Sequence, residues 1–275
     1  MEETETKEES LDSVPEKPLN DAPLNEGRGF REQDKQGKDT EDLDEMMEAG
    51  LHFGHKTSKT HPKMKPYIGG VRNTIHLINL EKTKEKLKEA LEVVSDIVAN
   101  KKTLFLVGTK VQVKGPVHEL AIEAGLPYVT EHWIGGLFTN FEMVQKRIEH
   151  LKDLESQKES EDFTKYTKKE RLDITEEIKK LEKKFGGLKN MERLPDAIFV
   201  FDLDENELAV KEAKQKGIQV LAIVDTNCDP TTVDYAIPAN DDAVSSVKYI
   251  VEKVKNAIQD GKNRSPVGES SGEND

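Results

Sequence analysis

The chain has 275 residues, with 41 Lys and Arg against 54 Asp and Glu, and a formal net charge of −13. That length allows one or two domains with a real core. No apolar run approaches the ~18 residues of a membrane helix. The opening MEETETKEES has no apolar segment of the kind a signal or transit peptide requires. Cys228 is the only cysteine, which excludes an internal disulfide and any paired-thiol metal site. A soluble cytoplasmic protein is expected.

The charge is unevenly placed. Residues 1–45 hold 16 acidic and 6 basic residues, with Pro15, Pro18, Pro23, Gly27 and Gly29 and no periodicity. Such a segment cannot bury enough surface to offset chain entropy, so a disordered acidic leader is expected, with a second disordered tail over 261–275. Residues 46–86 are the reverse case. Lys56, Lys59, Lys63, Lys65, Arg72, Lys82, Lys84 and Lys86 face only three acids there, and His52, His55, His61 and His76 lie among them. Local charge, not the total, sets attraction to a polyanion.

In chain order, 46–72 is punctuated by Gly50, Gly54, Pro62, Pro66, Gly69 and Gly70 and reads as an irregular arm. Thr74–Leu80 reads as a short strand, and Glu81–Asn100 as an amphipathic helix. The run Thr103–Val107 is a buried-type strand ended by Gly108. Val111–Ala124 is helical up to Gly125, and Pro127–Thr130 is a strand. Residues 140–185 carry 12 acids and 12 bases. Two apolar stripes run through them, Phe141, Val144, Ile148, Leu151, Leu154 and then Leu172, Ile174, Ile178, Leu181, Phe185. Stripes separated by a polar break predict an antiparallel coiled-coil hairpin. Strands Ala197–Phe201, Gln219–Val224 and Tyr235–Pro238 then alternate with helices Glu205–Lys216 and Asp241–Ile258. Continuous apolar strands alternating with helices predict an α/β fold with a doubly wound, mostly parallel sheet. Its body is 46–139 and 186–260, and the hairpin of 140–185 is inserted in it.

Candidate sites divide by chemistry. Val107-Gly108-Thr109-Lys110 joins a strand to a helix, where a phosphate could sit, but no complete phosphate-binding glycine pattern is present. Asp202, Asp204, Asp225 and Asp229 follow two strand ends, where open α/β sheets bind ligands. They could hold a divalent cation, and a metal-dependent enzyme using Asp202, Asp204 and Asp225 is the alternative function; helix capping and turns explain the same residues. His52-x-x-His55 lacks the further ligands of a structural zinc site. Gly-x-Ser-x-Gly is absent, and Cys228 sits in a DTNCDP turn without a recognisable base. No catalytic residue, metal or cofactor is assigned. The basic arm says most: cations interleaved with Gly, Pro, His, Phe53 and Tyr67 suit an RNA backbone and its splayed bases. The assigned RNA-binding residues are Lys56, Lys59, His61, Lys63, Lys65, Arg72, Lys110 and Trp133, the last in the loop His132–Asn140, where core packing is the competing role.

GLHFGHKTSKTHPKMKPYIGG, VRNTIHLINLEKT, LFLVGTK, HWIGGLFTN, YTKKE, FGGLKNMERLPDAIFVFD and GIQVLAIVDTNCDPTTVDYAIPANDDA, taken together over about residues 44–258, closely resemble the bacterial ribosomal protein S-two family. The resemblance implies a Rossmann-like domain with a protruding coiled-coil hairpin. It implies a structural, non-catalytic role in translation, as a constituent of the small ribosomal subunit bound to its rRNA between head and body. Implied neighbours are other small-subunit proteins, among them the large RNA-capturing S-one protein; no membrane or small-molecule substrate is implied. The chain departs from the family pattern at Val111 after GTK and at His132-Trp133, where an Arg often precedes the Trp, and in its long acidic leader.

Overall fold

The computed structural model describes residues 42–160, 163 and 165–264. The acidic leader over 1–41 and the tail over 265–275 lie outside the described residues. The order is helix α1 (42–48), strands β1 (Phe53–Lys56), β2 (Ile68–Arg72) and β3 (Ile75–Ile78), α2 (Leu80–Ala99), β4 (Leu104–Val107), α3 (Val111–Ala124) and β5 (Tyr128–Val129). Then come α4 (Phe141–Glu159), α5 (Lys168–Phe185), β6 (Ala197–Val200), α6 (Glu207–Gln215), β7 (Gln219–Val224), β8 (Tyr235–Pro238) and α7 (Val244–Asn263).

The main sheet has the order β5-β4-β6-β7-β8, and every neighbouring pair is parallel. Both of its faces are covered, as the unbroken apolar strands require. Alternation along each strand divides the core in two. Phe105, Val107, Ile198 and Val200 point to the side of α6 and the hairpin. Leu104, Leu106, Phe199 and Phe201 point to the side of α1, α2, α3 and α7. The strand order reverses direction at β4, so the crevice between the carboxyl ends of β4 and β6 is the topological switch point. The sheet is Rossmann-like.

The hairpin forms as the stripes require, with Val144, Ile148, Leu151 and Leu154 buried opposite Ile178 and Phe185. Leu172, assigned to the second stripe, is instead 58% exposed. It lies in the first turns of α5, whose start is fixed by a capping box: Thr167 N–H donates to Glu170 Oε2 at 2.8 Å, and Glu170 N–H donates to Thr167 Oγ1 at 3.4 Å. At the hairpin base Gly187 lies against the edge strand β5. A Cβ there would stand 2.3 Å from the Tyr128 carbonyl oxygen, so only glycine lets Gly186–Leu188 approach β5.

Two boundary expectations change. The leader does not run to residue 45, because α1 begins by residue 42 and buries Met46 among α2 and α7 residues. The tail does not start at 261, because α7 continues to Asn263 with Gly261 packed on Ser95.

The arm is not irregular. β3 pairs antiparallel with both β1 and β2, giving a separate three-stranded sheet. Arg72 pairs with Ile75, leaving a two-residue turn in which Asn73 and Thr74 have φ of 49° and 65°. Positive φ at both central positions is the hairpin turn that matches strand twist. Of the glycines and prolines that suggested irregularity, Gly54, Gly69 and Gly70 belong to this sheet, Pro62 and Pro66 to the 3-10 turn Pro62–Tyr67, and Gly50 to the turn after α1.

Candidate nucleic-acid interface

Several contacts clamp the arm to the body. Met64, in the 3-10 turn, is fully buried in the core on the hairpin side. The His61 N–H donates to the Thr226 carbonyl at 2.8 Å, and the His55 N–H to Thr226 Oγ1 at 2.9 Å. Gly54 passes so close to Thr226 that a Cβ would come within 2.6 Å of its methyl. Lys82 donates to the Pro66 carbonyl. The sheet is therefore held from its concealed side while its charged side chains point outward.

Lys56, Lys59, Lys63, Lys65 and Arg72 are all exposed. Lys63 is tied to Asp229 at 2.7 Å and to Thr231 at 2.7 Å. That ammonium, helped by the Thr231 hydroxyl and amide, holds the Asp229 carboxyl well below the usual carboxylate range. Lys56, Lys59, Lys65 and Arg72 have no carboxylate partner among the described residues. His61 caps the 3-10 turn, its Nδ1 accepting from the Lys63 N–H at 3.4 Å. Exposed Val71 and Arg72 sit beside the Asn73-Thr74 turn, at the tip of the β2–β3 hairpin.

The other two assigned residues are placed differently. Trp133 is only 4% exposed. Its ring packs edge-on against Phe105 and Phe138, and its Nε1 donates to Glu212 at 3.3 Å. It has no face open to a base, so its assignment as a stacking platform is corrected to a core role. The loop around it is shaped by Glu212, which also accepts from the amides of Gly136 at 2.7 Å, Phe138 at 3.0 Å and Thr139 at 3.3 Å. Burial opposes the Glu212 charge, but these donors outweigh it and hold the carboxyl below its ordinary range.

Lys110 is also turned inward, with its side chain 11% exposed. Its Nζ lies 2.7 Å from Asp241 and 3.0 Å from Asp242. Despite burial, these carboxylates keep the ammonium charged and push its pKa upward. A lysine already held by two carboxylates, one of them buried, is a poor phosphate contact, so this assignment is corrected as well. Val111, the departure after GTK, is 84% exposed at the start of α3.

The switch-point crevice is filled by the chain itself. Asp202 Oδ2 accepts the amide N–H groups of Thr109 at 3.1 Å and Lys110 at 3.3 Å, in the position an anion would take at the start of α3. Burial pushes the Asp202 carboxyl up, against the pull of these amides. Gly108 is there for close packing, since a Cβ would meet Val113 at 2.4 Å. The four aspartates weighed as a metal site do not converge. Asp204 meets Asn227, Asp229 meets Lys63, and Asp225 meets His55. The one group of metal-capable side chains among the described residues is His55 with Asp225 and Asp242, whose donor atoms lie within 4.8 Å of one another. One imidazole and two carboxylates are a donor set suited to a divalent cation. His52 and His76 take no part: His52 stacks on Phe53 with centroids 3.9 Å apart, and His76 meets Thr60. Burial pushes the Cys228 thiol up to about 12, so it is no nucleophile.

Sequence comparison gives a consistent answer. The ribosomal protein S2 family profile matches residues 46–261. A small ribosomal subunit protein uS2 from Roseiflexus sp. (strain RS-1) is 48% identical over 219 residues, covering 80% of this chain and 84% of the relative. The protein of that name from Psychrobacter cryohalolentis is 48% identical over 221 residues, covering 80% and 84%. The one from Chloroflexus aggregans is 45% identical over 220 residues, covering 80% and 92%.

Proposed function

This chain belongs to the ribosomal protein S2 family, and we propose that the β1–β3–β2 arm sheet is a face it presents to small-subunit rRNA. The protein is a structural constituent of the small ribosomal subunit in the cytoplasm, associated with its rRNA and with neighbouring ribosomal proteins. Among the described helices none is long and apolar enough to cross a membrane.

One observation carries the assignment of the face. Lys56 and Arg72 on the sheet, and Lys59 and Lys65 on the 3-10 turns Thr57–Lys59 and Pro62–Tyr67 between β1 and β2, are exposed without a carboxylate partner among the described residues, while Lys110 is held by Asp241 and Asp242. Unpaired cations on a clamped scaffold meet phosphates with little loss of side-chain or backbone freedom beyond their own rotamers. Lys63 and His61 fix the local geometry of the 3-10 turn, Lys63 through Asp229 and Thr231 and His61 as its cap. The arrangement favours assembly: the switch-point crevice is occupied by Asp202, and Asp204, Asp225 and Asp229 meet separate partners.

The experiment adds purified protein to small subunits stripped of it and measures occupancy by sedimentation. The variant Lys56→Ala/Lys59→Ala/Lys65→Ala/Arg72→Ala is expected to be folded and to lose occupancy. Wild-type occupancy by this variant overturns the assignment of the face.

A further inference from the structure

The groove between α2 and α7 is half filled by α1. Ser245 Oγ donates to the Ala49 carbonyl at 2.7 Å. Further along α7, Lys253 lies 3.6 Å from Asp42 and 3.7 Å from Glu45, and Lys84 of α2 lies 3.3 Å from Asp42. The chain thus runs from Lys253 toward Ser245 as it runs from Asp42 to Ala49, antiparallel to α7. Beyond Asp42, toward the carboxyl end of α7, the groove is not covered by any of the described residues.

The uncovered part is a cavity of about 370 Å³ that begins at Asp42 and ends at Arg264. Its floor is apolar, with Leu91 and Ala257, and Glu92, Asp260 and Lys88 stand on its walls. These three walls' charges have no ion-pair partner among the described residues, whereas Arg264 is held by Asp96 at 3.1 Å. From Lys253 to Arg264 the helix rises roughly 16 Å.

The segment outside the described residues carries a complement to this groove. Phe30 is the only aromatic residue among the first 41. It is flanked by Arg28, Arg31 and Glu32, two cations and one anion against Glu92, Asp260 and Lys88, the wall charges without an ion-pair partner among the described residues. The eleven residues between Phe30 and Asp42 span at most about 40 Å, more than the groove length requires. An aromatic ring buries ~150–250 Å² when it docks on such a floor.

We propose that Phe30 docks in the α2–α7 groove of its own chain, with Arg28 and Arg31 toward Glu92 and Asp260 and Glu32 toward Lys88. The acidic leader is then anchored at two points on one helical face, at Phe30 and at the Asp42–Met46 turn.

The test places p-benzoylphenylalanine at position 30 of the full chain and maps its photo-cross-links by mass spectrometry. The expected product is intramolecular, to peptides containing Leu91 or Ala257. The variant Glu92→Arg/Asp260→Arg changes only exposed positions. It is expected to lower that yield roughly fivefold, the effect of losing two surface ion pairs. Cross-links to the arm, cross-links scattered over the surface, a cross-linked dimer, or an unchanged yield in the double variant would each overturn the proposal.

Discussion

At the carboxyl ends of β4 and β6, Asp202 takes the amides of Thr109 and Lys110, and the Lys110 ammonium is held by Asp241 and Asp242. On the arm, Lys56 and Arg72 of the sheet and Lys59 and Lys65 of the 3-10 turns are exposed with no such partner among the described residues. The first region is where a doubly wound sheet ordinarily binds a ligand. Here that region is closed by the protein's own charges, and the second is left open. The contrast shows why the fold alone does not predict the site: what matters is which charges the chain has already satisfied internally.

The largest expected effect tests the closed region. Asp202→Ala removes a fully buried carboxylate and strands the Thr109 and Lys110 amides, with an expected loss of about 2–4 kcal/mol in urea unfolding. Asp202→Asn, which keeps one acceptor, is expected to lose less. A crevice kept for a ligand would respond the other way, since residues poised for ligands tend to cost stability when the ligand is absent. Unchanged or increased stability in Asp202→Ala would therefore break the comparison.

A smaller effect sharpens it. Glu212 is another carboxylate satisfied internally, and its folded pKa lies below the unfolded value because the loop donors outweigh burial. A depressed acid contributes stability that is fully present above the unfolded pKa and is lost as pH falls through the folded one. The wild-type unfolding midpoint is thus expected to drop on acidification below about pH 4.3, the ordinary glutamate value. Glu212→Gln is expected to be less stable near neutrality and to show a shallower acid dependence. Parallel pH profiles for the two proteins would contradict the role assigned to Glu212.

How much of this was legible in the sequence depended on the range of the interactions. Helix Val111–Ala124 and strands Gln219–Val224 and Tyr235–Pro238 have the bounds read from periodicity, because burial on a sheet writes itself into consecutive residues. The hairpin was legible for the same reason, except at Leu172. The arm sheet was not, because its turn uses Asn73-Thr74 in place of the familiar Asn-Gly, and its β1–β3 pairing spans distant positions. Lys110 and Trp133 were misassigned because their partners, Asp241 and Glu212, lie 131 and 79 residues away in the chain. A basic or aromatic residue in a motif-like loop reads the same whether its partner is internal or external. Only Glu212, an acid on the otherwise apolar face of α6, carried a local signal that something buried needed a charge.

The most direct test of the central claim is the salt dependence of binding to small-subunit rRNA. Each phosphate contact contributes roughly 0.7–0.9 to the slope of log affinity against log salt. The variant Lys56→Ala/Lys59→Ala/Lys65→Ala/Arg72→Ala is expected to flatten that slope by up to about 3. Its urea midpoint should stay close to wild type, since all four positions are exposed. A slope indistinguishable from wild type in this variant would contradict the claim that the arm is the RNA face.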